Sequence, residues 1–357
     1  MKTLRRYLAK EILASIALVL AALLALFAFL DLMRQIQSLG QGNYQLANIL
    51  MFVLLSVPGH VYELLPIAAL IGTIFALVQL TAHSEYTVIR VSGISAQRMG
   101  WTLLQIGLPL VIASYIIGEY VAPPSEQLAQ QIRLKATSGV VAQEFRSGLW
   151  VKDEQSFINV RNVLPDTALE GIRIFEFDKN HRLRAISLAQ RGGYRGENIW
   201  QLSEVTRTLF ADSGVSVVTL PSMEWRFVLN PDILSVLMIV PEQMSAWNLY
   251  QYVTHLEGNQ QKTSRYEIAL WGKLTQPLSI LVMLLLALPF GYMQRRTGGV
   301  SAKIFAGIML GLMFFMASQL FAKLGQLNDW HALFSATLPT LLFLLAALGM
   351  MWWVERR

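Results

Sequence analysis

Six long apolar stretches constrain this chain more than anything else in it. A membrane crossing takes about 20 mostly apolar residues, and residues 12–30 supply them without a single charge. Further stretches lie at about 61–80, 100–121, 270–293, 304–322 and 333–354. Lys2, Arg5, Arg6 and Lys10 precede the first stretch as they would in a signal peptide. That stretch exceeds the roughly 7–15 residues of a signal core, however, and no small-x-small cleavage site follows it, so a retained span is predicted. Six spans are expected.

Composition agrees. Of the 357 residues 54% are apolar and 15% charged, against about 45–50% and about 25% in soluble domains. A disordered chain, a disulfide scaffold and an ordinary cytosolic enzyme are thereby excluded. With no cysteine, thiolate nucleophiles and cysteine-based zinc sites are excluded too. The net charge of +6 is read by position, because in a membrane protein lysine and arginine report topology first. Lys2, Arg5, Arg6, Lys10, Arg90, Arg98, Arg295, Arg296, Lys303, Arg356 and Arg357 all fall on one side, against Arg34 and Lys323 in the short connections of the other. The positive-inside rule then puts both termini in the cytoplasm. The long interval between spans three and four lies on the opposite side.

That interval, about 122–267, is too long for a loop and is expected to fold as a domain. Its first part, 124–135, keeps helical spacing and continues span three. After it the apolar period drops to two at 150–152, 156–160, 171–177, 183–186, 199–202, 215–220 and 223–227, the pattern of half-buried strands. Turn residues at 178–180, 191–193 and 211–214 separate them. Many short antiparallel strands predict a sandwich or jelly roll. Helical spacing returns at 245–256 and leads into span four. The fold class is α+β, with three divisions: 1–135, including a cytoplasmic segment at about 82–95; the β-domain at 136–244; and 245–357.

Catalytic machinery is missing from the pattern. The glycine-rich segment 298–303 has neither the spacing of a phosphate loop nor a strand before it, and no nucleophile elbow, kinase set or dinucleotide fingerprint occurs. No catalytic or metal-binding residue is assigned and no enzyme activity is expected. Ion-coupled transport places ionisable groups at mid-membrane, and spans three, five and six have none near their centres. His60 and Glu63 read as interfacial, and Asp31 and Arg34, three residues apart, can pair on one helix face. The residues alone describe a six-span membrane component driven by something else.

Several segments go further: 40–44 (Gly-Gln-Gly-Asn-Tyr), 54–58, 65–72, 84–93 (Ser-Glu-Tyr-Thr-Val-Ile-Arg-Val-Ser-Gly), 118–123 and 148–153. In this order they resemble the permease subunits of the lipopolysaccharide exporter, the LptF/LptG family, over essentially the whole chain and its LptG branch above the other. The resemblance implies a pseudo-symmetric pair with LptF in the inner membrane of a Gram-negative bacterium, two copies of the ATPase LptB beneath it, and LptC beside it. A periplasmic β-jellyroll bridge receives the lipid. No cofactor is bound by the chain, ATP is used by LptB, and nucleic acid is not a partner. A mechanical transmitter that moves no lipid is the alternative.

The resemblance also implies roles for particular residues. Segment 82–95 matches the family's coupling helix, with Glu85 the acidic contact to LptB and Tyr86, Val88 and Ile89 packing beside it; otherwise Glu85 is a solvated loop carboxylate. Arg133 matches an arginine facing the lipid's phosphates, which a guanidinium grips with two parallel hydrogen bonds, or else lies on a solvated helix face. Arg34 departs from the pattern. The best-studied members have a lysine in place of Asp31 and an acidic residue in place of Arg34, and Gln37 and Ser38 replace lysines. Arg34 is assigned to lipid phosphate at the cavity mouth, with snorkelling to the interface as the other option. Gly307 and Gly311 form a G-x-x-x-G that allows close helix approach, either to the partner's first span or within this chain's bundle.

Overall fold

The computed structural model describes residues 2–91, 95–137, 149–153, 156–164, 168–178, 182–196, 199–211, 214–226, 241–258, 261–292 and 300–355. Apolar runs long enough to cross a bilayer can satisfy their backbone only as helices, and all six do so. The helices are α1 (Lys2–Ile36), α2 (Leu46–Ala82), α3 (Glu85–Val91), α4 (Ala96–Ile116) and α5 (Ala122–Thr137). After the strands come α6 (Ala246–Gly258), α7 (Ser264–Tyr292), α8 (Val300–Leu327) and α9 (Ala332–Glu355). Span three is α4 and α5 joined without a break through one π-helical turn, Ile117–Val121.

Span two begins earlier than its hydropathy suggests. The sequence places it at 61–80, but α2 starts at Leu46 and runs through Pro58 and Pro66. Proline is tolerated inside a membrane helix where neighbouring helices shield or re-satisfy the freed carbonyl. Helices α2 and α7 are buried along most of their spans and form the centre, while α1, α8 and α9 present most of their surface outward. One core gathers Leu8, Ile12 and Ile16 of α1 with Ala68, Ala69 and Leu77 of α2 and Leu284 of α7. A second gathers Leu70 and Ile74 with Met283, Leu286, Phe314 and Phe343.

Between α5 and α6 lies one antiparallel sheet: β1 (Leu149–Asp153), β2 (Ser156–Val163), β3 (Leu169–Phe177), β4 (Leu183–Gly196), β5 (Ile199–Ala211) and β6 (Gly214–Arg226). Spatial order equals chain order, so the described strands form a meander. Residues 191–193, expected as a turn, lie inside β4. Gly192 is there for space: a Cβ on it would stand 2.6 Å from Ile172 Cδ1 and 3.1 Å from Leu202 Cδ2.

A crease crosses this sheet. Val160, Ile172, Ala189, Val205 and Leu220 pair in one row and pack into one apolar core. The row of Leu169, Gly192, Leu202 and Met223 lies three positions away along each strand, and its side chains enter the same core. Strict alternation would put residues three apart on opposite faces. Between the rows Gly171 has φ +65° and Glu204 φ +53°, the left-handed region that glycine enters freely and other residues rarely. These residues reverse the alternation without shifting the register, so both halves turn their apolar side chains inward around the buried Trp200.

Candidate functional site

Helices α1 and α2 are antiparallel and joined by the short connection 37–45, which brings residue 31 beside residue 60 at the sheet end of the bundle. His60 Nε2 lies 2.5 Å from Asp31 Oδ2, and Arg34 Nη1 lies 3.7 Å from Asp31 Oδ1. The expected Asp31–Arg34 pairing is therefore present, and the imidazole, which the sequence left interfacial, joins it. Phe27 backs the ring with centroids 5.4 Å apart. The connection is held from two sides. Tyr44, itself buried, donates its hydroxyl to Gln35 Oε1 at 3.1 Å, and Asn43 donates its backbone N–H to Ala136 O on α5 at 2.7 Å.

These groups line a cleft of about 350 Å³ with Glu63, Glu126, Gln130, Arg133 and Gln243. Arg34 leaves 77% of its side chain exposed, whereas Arg133 is half-buried. Glu126 accepts from Gln130 Nε2 at 3.4 Å, and its Oε2 lies 3.7 Å from where a Cβ on Gly59 would be. Glu63 opens into the same cleft. The sequence-predicted Arg34 and Arg133 thus line one cleft with Asp31, already expected beside Arg34, and with two carboxylates, Glu63 and Glu126, that sequence reasoning did not assign to them. No group of three or more His, Asp or Glu among the described residues is arranged to hold a metal ion.

Beside the cleft stands a buried cation that the sequence reading missed. Lys273 of α7 is 7% exposed. Its Nζ donates to Gly118 O at 3.2 Å and sits 4.7 Å from the centroid of the Tyr62 ring. A π-helical turn frees a carbonyl from the regular ladder, and here the freed region is met by lysine. Gly118 has no room for a side chain, since a Cβ would be 2.4 Å from Tyr62 Cε2. The next residue, Glu119, accepts the backbone N–H groups of Ala246 at 2.7 Å and Trp247 at 3.2 Å. It therefore caps α6 from another element, satisfying orphan donors and meeting the positive helix end. One carboxylate ties the chain leaving for the sheet to the chain returning from it. The available signal was an ionisable residue inside an apolar stretch, which is functional or structural by default because it is costly there.

At the opposite end of the bundle Ser84, at φ +64°, reverses the chain between α2 and α3. Glu85 opens α3, and Tyr7 of α1 donates its hydroxyl to Glu85 Oε2 at 2.7 Å. Val88 is 68% exposed, while Ile89 is 8% exposed and packs in the core with Leu8, Ile12, Met99 and Leu103. Ile89, one of the residues expected to pack beside Glu85, therefore anchors α3 to its own bundle. The side chain of Tyr86, like Arg295 and Arg296, lies outside the described residues.

Gly307 and Gly311 meet their own chain. A Cβ at Gly307 would be 2.7 Å from Ile74 Cδ1, and one at Gly311 2.9 Å from Ile67 Cγ2. Of the two expectations for the G-x-x-x-G, packing of α8 on α2 is the one present.

Comparison with known proteins agrees with the architecture. The family model for the lipopolysaccharide export system permease LptF/LptG matches residues 6–353. The chain is 33% identical over 356 residues to the lipopolysaccharide export system permease protein LptG of Haemophilus influenzae (strain Rd), covering 99% of this chain and 98% of that one. It is 32% identical over 350 residues to the LptG proteins of Escherichia coli K12 and of Escherichia coli O6:H1 (strain CFT073), covering 98% of this chain and 97% of each relative.

Proposed function

Because the chain belongs to the lipopolysaccharide export permease family LptF/LptG, we propose that it works as the LptG-type subunit of an exporter in a Gram-negative inner membrane, with cytoplasmic termini and a periplasmic sheet. It extracts lipopolysaccharide from the outer leaflet and passes it toward a periplasmic β-jellyroll bridge. LptF is its membrane partner, an LptB dimer supplies the energy by hydrolysing ATP, and LptC continues the path. The chain itself binds no cofactor.

The observation that carries this reading is the cleft where Arg34 and Arg133 meet at the sheet end of spans one to three. A lipid of several acyl chains is held by about 0.8 kcal/mol per buried CH2, so leaving the bilayer costs tens of kcal/mol. An extraction device needs a grip on the polar end and an apolar shelter for the chains. In this proposal the two guanidinium groups hold phosphate, and the inward apolar face of the creased sheet offers shelter. Energy enters at the other end, where Glu85 and the exposed Val88 contact LptB and Ile89 transmits the displacement into the core shared with α1 and α4.

Photo-crosslinking in intact membranes tests the reading. Crosslinkers at Phe29, on the exposed side of α1, and at Leu220 on the inner sheet face are expected to capture lipopolysaccharide. Arg133→Glu should reduce that yield while the complex still assembles. Capture of protein alone at both positions would instead identify a mechanical transmitter.

A further inference from the structure

Several hydrogen-bond acceptors of the cleft are lightly used among the described residues. Asp31 is engaged by His60 and Arg34. Among the described residues Glu126 receives only the Gln130 amide, at 3.4 Å. The Glu63 carboxylate meets no hydrogen-bond or ion-pair partner among the described residues, and Gln243 Oε1 is a buried acceptor with no partner among them either. These three acceptors come from three elements: α2, α5 and the 3₁₀ turn Pro241–Gln243. All line one cleft, and Gly59, one helical turn before Glu63, leaves the space that Glu126 leans into. A phosphate alone would be repelled by such a wall, since like charges brought together in a sheltered site are unfavourable. The two guanidinium groups and the carboxylate wall together match a ligand with both signs.

We propose that this cleft takes a phosphorylated headgroup bearing a primary ammonium: Arg34 and Arg133 hold the phosphate, and Glu63, Glu126 and Gln243 Oε1 receive the three N–H donors of the ammonium. A primary ammonium offers three donors, and charge-assisted bonds to carboxylate are the strong ones. The proposal deepens the lipid-phosphate reading above and rests on it. The chemistry has two sources, a phosphoethanolamine phospholipid or a glycolipid whose phosphates are capped by an amine, and both are addressed by the test.

The test uses the full-length chain in detergent micelles, with bound lipid counted by native mass spectrometry. One arm compares phosphatidylethanolamine with phosphatidylglycerol and phosphatidylcholine of the same acyl chains. The other compares hexa-acylated lipid A with and without phosphoethanolamine on its phosphates. The wild-type chain is expected to hold the primary-amine form about tenfold more tightly in at least one arm, the worth of one charge-assisted hydrogen bond. The arm that responds names the source. Glu63→Gln with Glu126→Gln should abolish the preference without weakening binding of the unsubstituted anionic lipid. Gln243→Leu, on a short turn outside the spans, should lower the preference about threefold, so the proposal stays testable if the double variant does not fold.

Equal binding in both arms would overturn the proposal. So would a preference that survives the double variant, or an equal preference for phosphatidylcholine, whose quaternary ammonium has the charge but no N–H. Lipid A failing to bind in either form would count against the exporter reading, and the phospholipid arm would still decide the ammonium proposal.

Discussion

Replacing Gly72 by alanine should loosen the seam between α1 and α2. A Cβ at Gly72 would lie 2.6 Å from Ile16 Cα and 2.7 Å from Ile16 N. Both obstacles are backbone, so no rotamer change relieves them. Restoring ordinary carbon contact of about 3.5–4.0 Å requires α1 to retreat by roughly 1 Å. Overpacking of this kind costs about 1–3 kcal/mol, and Ile16 sits in the core that joins α1 to α2. The retreat would also stretch the His60–Asp31 link across the seam and the Tyr7–Glu85 link from α1 to α3. Thermal unfolding of the purified chain in detergent should show Gly72→Ala lowest of three variants. Gly107→Ala comes next, because its new Cβ meets Leu284 Cδ1 at 2.4 Å, a shorter distance but to the end of a flexible side chain. Gly349→Ala, with nothing within 4 Å, should equal or exceed wild type, since alanine is favoured over glycine in a helix by up to about 1 kcal/mol. If Gly72→Ala unfolds with Gly349→Ala, or above Gly107→Ala, the claim that backbone obstruction governs the seam is wrong.

Three other outcomes are expected. Glu119→Ala strips the cap from α6 at a cost of about 1–2 kcal/mol, and limited proteolysis should cut faster near residue 246, with Glu119→Gln intermediate. Tyr7→Phe should weaken copurification of the ATPase less than Glu85→Ala does, because it releases Glu85 without removing it; equal or larger loss with Tyr7→Phe would assign the contact to Tyr7 itself. Gly192→Val places side-chain atoms where Ile172 Cδ1 already stands, so it should destabilise the sheet, read as increased protease sensitivity between β3 and β5. Resistance equal to wild type would show that β4 can yield there.

Spans and strands were legible because they depend on local periodicity. An apolar run of membrane length admits few alternatives to a helix, and period-two patterning located every described strand. What escaped notice depends on contacts between distant segments. Gly192 and Gly193 carry the composition of a turn, yet the space Gly192 needs is set by Ile172 and Leu202, and composition cannot distinguish the two demands. A single lysine hardly alters the hydropathy of a long window, so Lys273 vanished into span four. The His60–Asp31 pair and the Glu119 cap required knowing which helix ends meet. Among the assigned residues, Arg34 was paired with Asp31 from their spacing alone, but Glu63 and Glu126 could not be placed around Arg34 and Arg133 without the helix packing, and the burial of Ile89 depends on how α3 lies against α1 and α4.

The crease in the sheet has a consequence for anyone mapping it by labelling. The chain has no cysteine, so reporters can be introduced singly. Along β4, positions 185, 187 and 189 face the sheltered side, but beyond Gln190 and Arg191 the sheltered position is 192. Odd numbers report the interior in one half of the strand and even numbers in the other. A scan read in one unbroken frame would invert inside and outside for the far half. Strand segments exchanged between relatives would keep their orientation only if the cut respects the row running from Gly171 to Glu204.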